Sequence, residues 1–170
     1  GGGYLAKRKT IGYNDWINPE KKEGEKGHNG PAACFISRSL HTLGVLGIEY
    51  RFLDPVKNGG LKTKSQGEKE NAPYFPDLPG LRNAEVVFVV EAPINAVSVL
   101  AAFDPEGKGT STRSAMATRG VAVVDSIDWS VLQGKTAVVC MDNDKPDEKG
   151  RRPGQEAAWK IHEHLTALNI

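Results

Sequence analysis

The run from Val86 to Glu91 most constrains what this chain can fold into. Five consecutive apolar residues, Val86-Val87-Phe88-Val89-Val90, end directly on the carboxylate of Glu91. An uninterrupted run of this kind is typical of a strand buried on both faces of a parallel sheet. Ala92-Pro93 and the apolar residues after it predict a following helix, because Pro suits the first helical turn. We therefore expect Glu91 at the carboxyl end of a strand, where open α/β sheets bind ligands.

A second apolar run repeats this design about fifty residues later. Thr136–Met141 reads as another buried strand, and Asp142-Asn143-Asp144 follows it directly. Because parallel strands end at the same edge of a sheet, we expect Glu91, Asp142 and Asp144 to lie near one another.

The order of elements after Val86 predicts the architecture. A weaker strand is predicted over Ser114–Thr118, a short helical stretch begins at Asp128, and a helix runs from Gly154 to Leu168. Strands alternating with helices are typical of an α/β fold with a parallel sheet and flanking helices. No strand follows the last helix, so we expect the chain to be truncated before the last strand of its sheet.

The first half of the chain has a different pattern. Ala32–Ser37 and Leu43–Leu53 predict an antiparallel hairpin, with clear alternation around Tyr50. The polar stretch 18–30 has no apolar periodicity and is predicted to be a mobile loop. We therefore expect a small basic α+β subdomain over residues 1–80, followed by the parallel-sheet domain over residues 81–170.

Charge and composition narrow the class of protein. Residues 1–75 hold twelve Lys and Arg against eight Asp and Glu, and residues 76–170 hold ten against thirteen. A basic half beside an acidic half suits a protein that brings a polyanion to a metal site, although chance also produces an asymmetry of this size.

No apolar run approaches the roughly 20 residues that span a bilayer. Cys34 and Cys140 form no CxxC pair, so a reducing, cytoplasmic setting is the default.

The three carboxylates suggest a metal. Mg²⁺ prefers oxygen ligands and is often held by one or two carboxylates together with phosphates and waters. Asp142 and Asp144, two residues apart at a strand end, project to the same side, and Glu91 either completes the site or acts as a general base. Clustered carboxylates repel one another unless a cation is present. The alternative is that Asp142-Asn143-Asp144 is a solvated turn or a helix cap.

A strand that ends in Glu, a helix, and a strand that ends in Asp-x-Asp together resemble the TOPRIM domain of primases, topoisomerases and nucleases. The resemblance implies that Glu91, Asp142 and Asp144 are the catalytic residues and the ligands of Mg²⁺ or Mn²⁺. Thr118-Arg119-Gly120 resembles the Thr-x-Gly turn of primases, which implies that Arg119 and Gly120 contact nucleotide or nucleic acid. Gly154–Ala158 resembles the start of the helix after the Asp-x-Asp.

The upstream half resembles the basic subdomain of DNA primases from phages, plasmids and other mobile elements. The resemblance rests on Tyr4–Arg8, Leu43–Asp54 and Lys64–Phe75. It implies nucleotidyl transfer that makes RNA primers, with single-stranded DNA and nucleoside triphosphates as partners. A helicase and a zinc-binding module would lie on regions outside this chain. Candidate nucleic-acid and nucleotide contacts are Arg51, Lys62 and Lys64, with an outward strand charge as the alternative for Arg51.

Three features depart from the family pattern. Ala92 and Asn95 stand where the family usually has Gly and Asp, and the loop Lys145–Pro153 is longer than usual. The basic residues of that loop either contact nucleic acid or keep an insertion soluble.

Tyr50, Tyr74 and Phe75 either stack on bases or, as we favour, pack in the core. The competing functions are a TOPRIM metal-dependent nuclease and a non-catalytic nucleic-acid-binding fragment.

Overall fold

A computed structural model describes residues 10–106, 108 and 111–170 of the chain. The segment 4–8, on which part of the family resemblance rests, lies outside the described residues. None of the described helices is long and apolar enough to cross a membrane.

The described residues form two sheets. Four antiparallel strands, in the order β1-β2-β3-β4, make the first sheet: β1 (Ile11–Asn14), β2 (Ala32–Arg38), β3 (Val45–Phe52) and β4 (Thr63–Gly67). Three parallel strands, in the order β6-β5-β7, make the second: β5 (Val86–Val90), β6 (Arg113–Ala117) and β7 (Thr136–Cys140). The α-helices are α1 (Leu78–Asn83), α2 (Pro93–Phe103) and α3 (Pro153–Ala167). Short 3₁₀ turns cover Val121–Ser126 and Trp129–Leu132.

Strand β5 is the centre of the parallel sheet. Val87 and Val89 are fully buried on the face that packs with α3, whereas Val90 packs on the opposite face with residues of α2. Val90 is in register with Ala117 of β6 and with Cys140 of β7. This arrangement confirms the predicted α/β fold with a parallel sheet and flanking helices.

The antiparallel sheet contains the predicted hairpin and two strands that the sequence did not reveal. The pair β2–β3 matches the prediction, but β1 and β4 add one strand on each side. All five residues of β4 are exposed and polar or glycine, so this edge strand has no apolar alternation to detect. Helix α1 was also missed, because its six residues include Pro79 and Gly80, which are poor helix formers in general.

The loop before β2 is extensively hydrogen-bonded, although its sequence predicts a mobile segment. The Asn58 side chain is fully buried, and its Oδ1 accepts the backbone N–H groups of Gly27 and Asn29, each at 3.0 Å. The Asn18 N–H donates to the His28 carbonyl at 2.8 Å. Buried polar side chains therefore organise this loop in place of an apolar pattern.

The two sheets meet beside the edge strand β6. Tyr74 and Ala117 exchange two backbone hydrogen bonds of 2.8 Å, so the segment before α1 extends the parallel sheet by one antiparallel bridge. The fully buried ring of Tyr74 packs edge-on against Phe35 of β2, with 5.6 Å between ring centroids. Tyr74 and Phe75 are thus core residues, in agreement with the favoured interpretation of the sequence.

We expect the packing of helix α3 against the parallel sheet to depend on the buried side chain of Ile161. Ile161 is fully buried in the core, whereas Trp159 on the same helix is 69% exposed. We expect Ile161→Ala to lower the free energy of unfolding by about 3 kcal/mol, because it leaves a cavity under the sheet. Trp159→Ala, the matched control, is expected to change it by less than about 0.5 kcal/mol. Urea denaturation measures both, and equal effects would contradict this packing.

Candidate metal centre at the carboxyl edge of the parallel sheet

Glu91 follows β5 directly, and Asp142 lies two residues after the end of β7. Because Val90 and Cys140 are in register, β5 and β7 end at the same edge of the sheet. The backbone of Glu91 is fixed there, since its carbonyl accepts the Arg119 N–H at 2.9 Å. Glu91 and Asp144 are half-buried, and Asp142 is exposed. Parallel pairing thus places the three predicted carboxylates on one side of the molecule.

The electrostatics of Glu91 show that the three carboxylates interact. Partial burial raises the pKa of Glu91, and the negative charges of Asp142 and Asp144 raise it further. Lys69 acts in the opposite direction and lowers the pKa of Glu91. An ionised Glu91 is therefore disfavoured at this edge unless positive charge accompanies it.

The start of α3 holds the Asp-x-Asp segment in place. The Gly154 N–H donates to Asp144 Oδ2 at 3.2 Å, and Gln155 Nε2 donates to Asn143 Oδ1 at 2.6 Å. The positive end of a helix dipole also favours a carboxylate at this position. A Cβ atom on Gly154 would clash with the carbonyl oxygen of Asp142. Glycine is therefore required for the helix to approach the acidic segment this closely.

The donor set fits a hydrated magnesium-type ion better than a closed protein cage. Within the described part of the chain, no three His, Cys, Asp or Glu side chains converge closely enough to hold an ion by themselves. Mg²⁺, however, usually keeps several waters and uses one or two carboxylates together with substrate phosphates. The oxygen chemistry of Glu91, Asp142 and Asp144, and the raised pKa of Glu91, fit that mode of binding.

A second group of charged residues from other parts of the chain lies beside the carboxylates. Burial raises the pKa of Glu49 in β3, and the charges of Arg119 and Lys69 lower it. Lys69 Nζ lies 3.7 Å from the position that a Cβ atom on Gly120 would occupy. Gly120 has a φ of 127°, a conformation that L side chains rarely adopt. The backbone conformation therefore favours glycine at position 120, and Lys69 lies beside it next to the acidic edge.

Arg119 connects the two sheets. It is only 2% exposed and has a φ of 68°, a strained conformation for a residue with a side chain. Its Nη1 donates to the carbonyls of Glu68 at 2.8 Å and Ala72 at 3.0 Å. Nε and Nη2 of Arg119 have no hydrogen-bond partner among the described residues. Arg119 thus anchors the segment after β4 to the turn after β6, and a direct contact with nucleic acid remains a prediction.

The other candidate nucleic-acid residues lie on two faces of the antiparallel sheet. Arg51 pairs with Ala33, whose side chain belongs to the core shared with the parallel sheet, so Arg51 lies on the inner face. Lys64 pairs with Tyr50 and projects from the opposite, outer face. Lys62 lies opposite Phe52, whose N–H donates to its carbonyl at 3.0 Å. The structure therefore does not gather Arg51, Lys62 and Lys64 into one patch.

The basic loop after the Asp-x-Asp uses part of its charge internally. Arg151 donates to Asp147 Oδ2 through Nε at 2.9 Å and through Nη2 at 2.8 Å. The backbone N–H groups of Lys149 and Arg151 also donate to Asp147 Oδ1. This hydrogen-bonded turn favours a structural role for Arg151.

Sequence reasoning missed two charged residues near the site, Glu49 and Lys69. The alternation of β3 predicts on which face of the strand Glu49 lies. It does not predict which part of the molecule packs against that face. Lys69 lies in a polar segment without periodicity, so no local signal points to it. Both reach the carboxyl edge only through the packing of the antiparallel sheet on the parallel one.

We expect Gly154→Ala to weaken Mn²⁺ binding about tenfold, because the added methyl group pushes α3 away from Asp142 and Asp144. Gly12→Ala is a suitable control, since its Cβ would meet its nearest neighbour at 3.9 Å. Calorimetric titration measures both variants. An unchanged affinity in Gly154→Ala would show that the helix start does not shape the site.

Glu91→Gln is expected to stabilise the metal-free protein. Because the folded state raises the pKa of Glu91, the ionised carboxylate destabilises the fold above that pKa, and the destabilisation disappears as the pH falls through it. Solvent screening keeps the gain at pH 7 below about 1 kcal/mol, or about 2 °C in Tm. Glu85→Gln, before the other end of β5, is the control. Thermal melts in EDTA test this, and a lower Tm for Glu91→Gln would contradict it.

A family model described as a Toprim domain matches residues 86–170, which is half of the 170-residue chain. A search of the curated proteins found no match. The matched range begins with the first residue of β5 and includes all three carboxylates of the sheet edge. Toprim domains are typical of enzymes that process nucleic acids and bind divalent metal ions such as Mg²⁺. The match confirms the TOPRIM resemblance seen in the sequence, and the chain belongs to the Toprim domain family.

Proposed function

We propose that this chain is the catalytic core of a DNA primase of the phage, plasmid or mobile-element type. The proposal depends most on one observation: an antiparallel sheet bearing basic residues packs beside the edge that carries Glu91, Asp142 and Asp144. In this proposal residues 1–80 form the basic subdomain and residues 81–170 the Toprim domain. The reaction is the synthesis of RNA primers on single-stranded DNA.

Each carboxylate has a role that its position supports. Asp142 and Asp144 offer oxygen ligands on a segment that the start of α3 holds in place. Glu91 is half-buried, and its raised pKa suits a group that accepts a proton from an attacking hydroxyl. A divalent ion bound here would supply the positive charge that activates a 3′-hydroxyl and offsets the charge of the departing pyrophosphate.

Positive side chains near the carboxylates suit a triphosphate. Lys69 lies beside Gly120 and lowers the pKa of both Glu49 and Glu91, so its ammonium group faces the acidic edge. Arg51 also lowers the pKa of Glu49, from the inner face of the antiparallel sheet. A Lys ammonium is an effective point charge for phosphate. We assign Lys69 and Arg51 to the incoming nucleotide, and Lys62 and Lys64 on the outer face to the template strand.

Two substitutions relative to the family pattern are compatible with this role. Ala92 is the residue before α2 and keeps an extended conformation, with φ −98° and ψ 143°. It is small enough for a phosphate or ribose to approach. The Asn95 N–H donates to the Ala92 carbonyl at 3.0 Å, so Asn95 belongs to the first helical turn and lacks only the charge of an Asp.

The central test compares Asp142→Asn/Asp144→Asn with the wild type. We expect the double variant to lose Mg²⁺ and Mn²⁺ binding and to reduce primer synthesis at least 100-fold, because it removes ionic oxygen ligands. Calorimetry measures binding, and labelled nucleotide incorporation on single-stranded DNA measures synthesis. Asp147→Asn is the matched control, since Asp147 lies in the same loop but is paired with Arg151.

The outcomes separate the competing functions. Metal-dependent cleavage of DNA without primer synthesis would support the nuclease instead. Binding of single-stranded DNA with neither activity would support a non-catalytic binding fragment. Loss of metal binding in Asp147→Asn equal to that in the double variant would contradict the assignment of the ligands.

A further inference from the structure

The outer face of the antiparallel sheet contains a pocket that the carboxylate edge does not explain. Directly paired residues of neighbouring strands share a face, so Tyr50 shares the outer face with Cys34 and Lys64. The inner face packs instead on the parallel sheet, through residues such as Phe35 and Ala33. The pocket therefore opens away from Glu91, Asp142 and Asp144.

The pocket lies between the outer face and the loop before β2. Its volume is about 240 Å³, and it is lined by Asn14, Trp16, Asn29, Tyr50, Phe52, Lys64 and Gln66. Sites for drug-sized ligands are usually larger, about 300 to 1,000 Å³. The space thus suits a small planar group such as a single nucleobase.

Three aromatic residues line this space, and two of them, Trp16 and Tyr50, are accessible to solvent, whereas Phe52 is buried. The indole of Trp16 is 55% exposed, although its backbone is fixed because its carbonyl accepts the Gly30 N–H at 3.0 Å. Tyr50 is half-buried, and its hydroxyl donates to Gln66 Oε1 at 3.1 Å. A large aromatic ring on a fixed backbone and open to solvent is a suitable platform for base stacking.

The polar lining suits both the bases and the phosphates of a nucleic-acid strand. The amides of Asn14, Asn29 and Gln66 provide donors and acceptors for the edge of a base, and Gln66 Oε1 already accepts the Tyr50 hydroxyl, which leaves Gln66 Nε2 as a donor. Lys64 lines the pocket, and Lys62 lies directly before the first residue of β4, so both can meet backbone phosphates. An apolar peptide would leave these amides and ammonium groups unpaired.

We propose that this pocket binds one unpaired base of a single-stranded DNA, stacked on Trp16, with the adjacent phosphates on Lys64 and Lys62. The inference deepens the proposed function, because it rests on that function for the identity of the strand as a template. The site lies on the face opposite the carboxylates. It therefore holds the strand at a distance from the reacting atoms.

The test is fluorescence anisotropy of the whole chain with a fluorescein-labelled twelve-residue oligo-dT in EDTA. We expect Trp16→Ala to weaken binding about tenfold, because base stacking on an aromatic ring is lost. Trp159→Ala is the matched control, since Trp159 is another exposed tryptophan, on α3, and is expected to leave binding unchanged. Lys64→Gln is expected to reduce the slope of log affinity against log salt by about 0.7.

An abasic oligomer of the same length separates stacking from charge. It should bind more weakly than oligo-dT, and Trp16→Ala should not change its affinity. Equal binding of oligo-dT by the wild type and Trp16→Ala would overturn the proposal, as would an equal loss in Trp159→Ala. Tighter binding of free ATP than of oligo-dT at the pocket would also overturn it, because the ligand would then be a nucleotide.

The same assay on Asp142→Asn/Asp144→Asn separates this inference from the proposed function. We expect that variant to bind oligo-dT as the wild type does, since the pocket and the carboxylates lie on different faces. If primer synthesis is absent but Trp16→Ala still weakens binding, the pocket is supported and the primase assignment fails. If synthesis occurs and Trp16→Ala has no effect on binding, the pocket fails and the primase assignment stands.

Discussion

The repulsion among Glu91, Asp142 and Asp144 is the constraint on which the rest of the site depends. Nothing in the side chains themselves favours bringing three negative charges together, so the backbone must do it. Strand β5, buried on both faces, fixes Glu91, and the start of α3 fixes Asp144 through the Gly154 N–H. The stability of the buried sheet thus offsets the electrostatic cost of the edge. Sites that hold like charges for function commonly lose stability in this way.

Arg119, between the two sheets, is a second charged group whose position is costly. Burying a guanidinium is costly, and here two of its nitrogens lack a hydrogen-bond partner among the described residues. The cost is tolerated because Nη1 holds the carbonyls of Glu68 and Ala72, which brings the segment containing Lys69 to the acidic edge. The negative charge of Glu49 also opposes the lowering of the Arg119 pKa by burial. Arg119 therefore sets the position of the positive charge that faces the carboxylates.

The sequence revealed those parts of the site that depend on short-range patterns. Glu91 and the Asp-x-Asp each follow an apolar run, and parallel pairing is enough to bring strand ends together. Lys69, Glu49 and Trp16 were not predicted as site residues, because each acquires its neighbours through contacts between distant segments. Strands β1 and β4 were not predicted for a different reason. Both are edge strands, and β4 is exposed, so it carries no apolar side chains that would reveal a strand. Local patterns thus predict buried elements better than the exposed ones to which we assign much of the recognition.

The two faces of the antiparallel sheet have separate chemical properties, and this separation bears on how a template would approach. The inner face carries Arg51 and Glu49 toward the carboxylates, whereas the outer face carries Lys64 beside the Trp16 pocket. A strand bound on the outer face must pass an edge of this sheet to reach Glu91. Strand β4 is one edge of the sheet and is fully exposed, and its side chains are short apart from Lys64 and Gln66, so it presents little obstruction. In the proposed primase, holding the strand on one face and performing the reaction beyond the other would keep the anchored bases away from the reacting nucleotide.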